Sequence, residues 1–144
     1  MKLIDTNVLI SFWDDSEPEH LWAEDVLSLA VAEGMACVSA VTVAELCSFA
    51  GSSSQDIIAE LGAMRIELLD VPVAASVLCG GAYRKYLARR REETKTEGPR
   101  IPLPDFFIGA HAELMEFELV TNDKRRFRTY FPSVPLVLPP TKSL

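Results

Sequence analysis

The sequence predicts an α/β protein of three layers: a mainly parallel central sheet with helices on both faces. Short apolar runs recur along the chain, in "KLIDT", "MACVSAV", "RIELLDV", "ELVTND" and "VPLVLP". They are apolar throughout rather than alternating, the pattern of strands buried on both faces of a parallel sheet. Between most of them lies enough chain for a crossover helix, the connection that parallel strands require. At 144 residues the chain fits one domain, expected over residues 1–144, with no internal repeat, low-complexity tract or dividing linker.

The elements follow in order. "KLIDT" is the first strand. "SEPEHLWAEDVLSLAVAEG" is the first helix: Ser16 and Glu19 stand at capping-box spacing, Leu21, Trp22, Leu29 and Ala30 supply apolar positions, and Gly34 ends it. "MACVSAV", small and β-branched, is the second strand. "TVAELCSFAG" is a short helix closed by Gly51, with Thr42 and Glu45 again at capping-box spacing, and "SSSQDIIAELGAM" is another that starts on serine caps. "RIELLDV" is the third strand. After Pro72, "VAASVLCGGAYRKYLARRREE" is a long helix, interrupted at Gly80 and Gly81 and basic at its far end. "TKTEGPRIP", with Gly98, Pro99 and Pro102, is a candidate mobile loop. "LPDFFIGAHAELMEF" is a helix with Pro104 near its first turn, and "ELVTND" and "VPLVLP" are the last strands.

Composition is that of an ordinary soluble chain, 49% apolar and 24% charged. No apolar run approaches the roughly 20 residues of a membrane span. The N-terminus lacks the basic, apolar and small-residue regions of a secretory signal, so a cytoplasmic location is expected. Cys37, Cys47 and Cys79 are odd in number, widely spaced and in apolar surroundings, which predicts buried reduced thiols.

The net charge of −7 is unevenly spread. Residues 1–83 hold Lys2 and Arg65 against thirteen acids, a balance of −11, whereas residues 84–144 hold twelve Lys and Arg against eight acids, a balance of +4. The cations cluster in "RKYLARRR" (84–91) and "KRRFR" (124–128). Such asymmetry marks either a polyanion-binding face or a solvated helix end.

Four acids fall where such a fold keeps its ligand site. In open α/β sheets ligands bind beyond the carboxyl ends of the strands. Asp5 and Asp123 end strands there. Glu45 lies in the first turns of the helix after the second strand, and Asp105 begins the "PDFFIGAHAEL" helix, so all four point to one rim. Each has a plain structural explanation: turn residues for Asp5 and Asp123, a capping box for Thr42 and Glu45, a helix-dipole partner for Asp105. Together they would repel one another, which favours raised pKa values or a bound hard cation such as Mg²⁺ or Mn²⁺.

"IDTNVLI", "TVAEL", "PDFFIGAHA" and "VTND", in that order along nearly the whole chain, resemble the PIN-domain nucleases, and more narrowly the VapC-type toxins of type II toxin–antitoxin pairs. The resemblance implies a PIN-like fold and metal-dependent endonucleolytic cleavage of single-stranded or looped RNA. It implies that Asp5, Glu45, Asp105 and Asp123 form the acidic metal site, with Thr6, Asn7, Thr121 and Asn122 as polar supports. It also implies a homodimer and a cognate antitoxin lying over the active site. Flanking RNA phosphates would be held by Lys124, Arg125, Arg126 and Arg128, next to Asp123, and by Arg84, Lys85, Arg89, Arg90 and Arg91.

Other chemistries find less support. His111 lies six residues past Asp105 and reads as a packed or hydrogen-bonded histidine, and His20 as a solvated one. Ser39 and Ser48 lack a nucleophile elbow, and there is no P-loop or GxGxxG. Phe12, Trp13 and Trp22 suit core packing better than a partner groove. The rivals are a processing nuclease without antitoxin, an inactive RNA-binding module of the same shape, and a phosphatase or receiver-like fold using Asp5 as phosphate acceptor.

Overall fold

Residues 1–49, 51, 53–93 and 103–142 are described by a computed structural model of the chain. In chain order its elements are β1 (Lys2–Ile4), α1 (Thr6–Trp13), α2 (His20–Ala32), β2 (Ala36–Ser39), α3 (Ala40–Cys47), α4 (Ser54–Ala63), β3 (Glu67–Leu69), α5 (Val73–Glu93), α6 (Leu103–Met115), β4 (Glu118–Val120), α7 (Lys124–Tyr130) and β5 (Leu136–Val137). The strands form one sheet in the order β3-β2-β1-β4-β5, every pair parallel. The predicted α/β class and parallel sheet are therefore observed.

Neighbouring residues of a strand face opposite sides of its sheet. Ile4, Val38 and Val120 enter one core with Val8, Leu9, Ala23, Leu27, Leu46 and Leu61, so α1 to α4 cover that face. Leu3, Cys37 and Leu119 enter the other with Cys79, Tyr86, Phe106, Ile108, Phe127 and Phe131, under α5 to α7. Three layers follow directly from strands apolar on both sides.

Two helices escape the sequence reading. α1 starts directly after β1 and α7 after three residues beyond β4, each capped by an acid that reads as a turn. Asp5 caps α1, accepting the Thr6 amide at 2.8 Å, and Asp123 caps α7, accepting the Arg126 amide at 3.3 Å. Other boundaries move for equally local reasons. Ser16 caps nothing; its amide and hydroxyl bind Asp14 Oδ1 at 3.0 and 2.6 Å in a turn, and α2 begins at His20 without a side-chain cap. α3 starts on Ser39, whose hydroxyl accepts the Val41 amide at 3.2 Å, so Thr42 lies inside the helix rather than capping it. α5 runs unbroken through Gly80 and Gly81, with Ala75, Cys79 and Tyr86 buried along its inner side. The expected loop over residues 94–102 lies outside the described residues.

Smaller expectations divide. Gly34 ends α2 at φ +66°, a left-handed backbone that glycine adopts freely. Cys37 and Cys79 are buried free thiols, while Cys47 is only half-buried. Phe12 and Trp22 pack on the first core, whereas Trp13 is exposed. His20 is not simply solvated: its Nδ1 is 2.8 Å from the Ser11 carbonyl and its Nε2 3.5 Å from Glu24. His111 is buried, and burial lowers its pKa. No described helix is long and apolar enough to cross a membrane.

An aromatic cluster fastens α5, α6 and α7 together. Phe106 meets Tyr83, Tyr86, Tyr130 and Phe131 with ring centroids 5.0 to 6.0 Å apart. Gly109, one turn along α6, lies against the Phe131 ring so closely that a Cβ would overlap it. Phe131 is itself buried beside Phe106 and has nowhere to retreat. Gly109→Ala is therefore expected to destabilise the fold by about 1–3 kcal/mol despite alanine's better helix propensity, a cost of overpacking. Urea denaturation measures it; an unchanged or raised midpoint would show that the α6–α7 interface yields easily.

Candidate functional site

The strand order reverses direction at β1. The chain builds β1, β2 and β3 outward on one side, then returns to place β4 and β5 on the other. The crevice at such a switch point, beyond the strand ends, is where open α/β sheets bind ligands. Asp5 follows β1 and Asp123 lies just past β4, whose residues pair in register with those of β1. Glu45 comes in on α3 from beside β2, and Asp105 in the first turn of α6. All four predicted acids face this one crevice.

Hydrogen bonds hold each in place. The Thr121 hydroxyl donates to Asp5 Oδ2 at 2.7 Å and accepts the Asp123 amide at 3.0 Å, so one side chain orients two acids. The Thr6 hydroxyl lies 2.7 Å from Glu45 Oε1 and 3.1 Å from Thr42 Oγ1. A hydroxyl has one proton and an ionised carboxylate only accepts, so Thr6 donates to Glu45 and takes its second bond from Thr42. Asn7 spans the crevice more loosely: its Nδ2 is 3.5 Å from Thr121 Oγ1 and its Oδ1 accepts the Asn122 amide at 3.4 Å. Thr42, expected as the cap in a capping box with Glu45, instead supports Glu45 through Thr6, its position three residues before Glu45 putting both on one helix face.

The crowding has an electrostatic cost. Burial pushes the Asp5 carboxyl up to about 7, and the charges of Asp105 and Glu45 add to it, against opposing hydrogen bonds from Thr121 and Thr6. Burial likewise raises Asp105 to about 6, helped by Glu45 and Asp123 and opposed by the Arg126 guanidinium. Arg126 Nη1 is 2.5 Å from Asp105 Oδ2, and Nε is 3.4 Å from Asp123 Oδ2.

The donor set suits a hard divalent cation, because its oxygens are all carboxylate and burial leaves Asp5 and Asp105 resisting ionisation without a counter-charge. The set is not arranged for one as it stands: among the described residues, no three His, Cys, Asp or Glu side chains are grouped to hold a metal ion. Thr6 and Thr121 hold Glu45 and Asp5, and Arg126 draws on Asp105 and Asp123.

The predicted phosphate-binding cations divide. Lys124, Arg125 and Arg128 are exposed on α7, the first two next to Asp123 along the chain. Arg126 is turned inward onto two acids rather than offered to a phosphate. On α5, Arg84, Lys85 and Arg91 are exposed, Arg89 pairs with Glu93 at 2.8 Å, and Arg90 reaches the Tyr86 hydroxyl at 3.2 Å. Tyr86 packs on Phe106 and Tyr130, which brings this basic half of α5 beside the start of α6. A feature the sequence did not suggest is an apolar cleft between α3 and α6, lined by Val41, Ala44, Leu103, Pro104 and Phe107 with Glu45 in its wall.

Comparison with known proteins agrees with this fold. A family model of the PIN domain matches residues 2–132. No curated protein matches the chain in sequence. Among solved structures, it is similar to VapBC2 from Rickettsia felis bound to a DNA fragment from their promoter, with 21% identity and TM-score 0.67 over 95% of this chain and 97% of that one. It is similar to VapBC-1 from nontypeable Haemophilus influenzae, with 18% identity and TM-score 0.63 over 95% and 96% of the two chains. A third, FitAcB from Neisseria gonorrhoeae, has 22% identity and TM-score 0.57 over 94% and 96%. At these identities the likeness is one of fold.

The raised Asp5 pKa has a consequence for stability. The folded group keeps its proton to about pH 7, whereas in the unfolded chain it ionises near 3.8. The metal-free fold thus binds more protons than the unfolded chain across that window, and this one group lowers stability as pH rises through it. Asp5→Asn has no charge to lose. Relative to the unaltered protein it should gain stability between pH 4 and pH 8, by at most roughly 4 kcal/mol. Denaturation in EDTA at several pH values measures the difference; a flat one would show that Asp5 is ionised throughout.

Proposed function

The chain belongs to the PIN domain family, and on that footing we propose that it is a metal-dependent endoribonuclease, the toxin of a type II toxin–antitoxin pair. The observation that carries this reading is the convergence of Asp5, Glu45, Asp105 and Asp123 on the switch-point crevice of the sheet. Carboxylates that repel one another are a poor floor for a polyanion unless a cation neutralises them. The toxin role draws on the motif resemblance and on the likeness of fold to VapBC structures. A cognate antitoxin is the partner this implies. Its covering segment has a suitable seat in the apolar cleft beside Glu45. The same resemblance gives the toxin as a homodimer, and its free thiols suit a cytoplasmic location.

In this mechanism Asp5, Glu45, Asp105 and Asp123 would hold Mg²⁺ or Mn²⁺. A cation bound there would supply positive charge to the reacting phosphodiester and make water more acidic. The chain's own groups do the rest. The Thr121 hydroxyl and the Thr6 amide fix both oxygens of Asp5, so that its carboxylate presents a constant face to the crevice. One of the four carboxylates also orients the attacking water and takes its proton. Thr6, bridging Thr42 and Glu45, keeps the Glu45 carboxylate turned toward the same space. Lys124 and Arg125, exposed next to Asp123, hold phosphates flanking the scissile bond.

The decisive experiment incubates antitoxin-free protein with a panel of structured RNAs in Mg²⁺, Mn²⁺ or EDTA. Cleavage should require the cation. It should fall at least about 100-fold in Asp5→Asn and Asp123→Asn, with circular dichroism unchanged. Equal cutting by these variants would point to a contaminating nuclease, and cutting in EDTA would remove the cation from the mechanism. Reversing Lys124 and Arg125 to Glu should weaken RNA binding and reduce its log–log salt slope by about one for each phosphate no longer held. A slope that stays the same would take α7 out of the RNA interface.

A further inference from the structure

The Arg126 guanidinium sits among the acids that the proposed reaction needs. Its Nη1 meets Asp105 Oδ2 at 2.5 Å and its Nε faces Asp123 Oδ2 at 3.4 Å, from α6 and from the cap of α7 respectively. From this arrangement we infer that Arg126 is the internal counter-ion of the cation-free pocket, displaced from Asp105 and Asp123 when a divalent cation binds. The inference rests on the reading that this pocket takes such a cation.

Three features make the guanidinium an occupant that can leave. Its grip is uneven: Nε is buried yet makes no hydrogen bond, so the guanidinium holds Asp123 by charge alone. Its side chain keeps 27% of its exposure, which gives it a path to solvent. Its departure does not release α7, because the helix is capped through the Arg126 backbone amide, which donates to Asp123 Oδ1 at 3.3 Å whatever the side chain does. The case for displacement is equally direct. A carboxylate whose charge is already shared with a guanidinium is a weaker ligand for an ion, and a dication beside a fixed monocation is repelled. The pairing also explains why four acids on one rim do not form a ready-made metal group. Once displaced, Arg126 stands beside the crevice, next to Lys124 and Arg125 along the chain, where a phosphate oxygen can replace the carboxylates it left.

Arg126 is thus a positioning residue whose removal should strengthen cation binding. The test titrates Mn²⁺ into the full chain, antitoxin-free and stripped of metal, by calorimetry. Arg126→Gln is expected to bind Mn²⁺ at least about tenfold more tightly than the unaltered protein, or ~1.4 kcal/mol, whereas Arg126→Lys, which keeps the charge, stays within about threefold of it. Equal or weaker binding by Arg126→Gln, with the unaltered protein still binding, overturns the counter-ion role and leaves the cation pocket standing. Tightening by the lysine variant equal to that of the glutamine variant assigns the effect to packing and overturns it as well. Absence of binding in every protein up to millimolar Mn²⁺ overturns the pocket reading along with this one. Should the glutamine variant fail to fold, ¹⁵N NMR of the unaltered protein decides: saturating Mg²⁺ should shift the Arg126 Nε–H signal and speed its exchange with water. A signal unmoved at saturation overturns the inference.

Discussion

Like charges brought together out of water are the constraint around which this structure is organised. Asp5, Glu45, Asp105 and Asp123 come from four separate elements to one crevice, and no protein gathers carboxylates there without a means of holding them. Each is held by a bond with a second purpose. Asp5 and Asp123 cap the helices that follow them, Glu45 is tied through Thr6 to α1, and Asp105 is paired to α7 through Arg126. The structural and the chemical explanations of these acids are therefore not rivals. A carboxylate at a strand end is both the best available cap for the next helix and a ligand aimed at the strand-end crevice.

The sheet makes that convergence possible. Parallel strands all end at the same edge, so the residues after β1 and β4 are neighbours although 116 positions apart, as between Asp5 and Thr121. Short strands suffice because both faces are covered. Two apolar cores lock the sheet from either side, and the aromatic cluster of Phe106, Tyr86, Tyr130 and Phe131 fixes α6 and α7 beneath Asp105 and Asp123. The crevice is thus built on rigid elements. Within it the looser parts are long side chains, above all Arg126, whose hold on two acids is one good bond and one distant charge.

Stability and chemistry pull in opposite directions here. Burial raises Asp5 to about 7 and Asp105 to about 6, so the cation-free pocket resists full ionisation near neutral pH. Removing these charges would relax the fold, and removing them would also remove what attracts a cation. That trade is characteristic of sites whose strain belongs to function.

Much was legible in the sequence. Apolar runs without alternation, separated by helix-length segments, determined a parallel sheet with two covered faces, because a strand buried on both sides has no polar side to show. The placement of acids after strands and at helix starts was enough to direct all four to one rim, since strand direction is common to the sheet. The helices α1 and α7 were hidden, because an acid followed by a polar residue reads as a turn until the following helix is seen to need a cap. The starts of α2 and α3 were misplaced by the same ambiguity: a serine or threonine three residues before a glutamate can cap a helix, or can bond within a turn as Ser16 does, or lie inside the helix as Thr42 does. Only the tertiary structure decided that Arg126 faces inward while Lys124 and Arg125 face outward, or that one threonine orients two acids. Side-chain direction on a short helix depends on what packs beneath it, and bonds across more than a hundred residues exist only once the sheet has closed the distance.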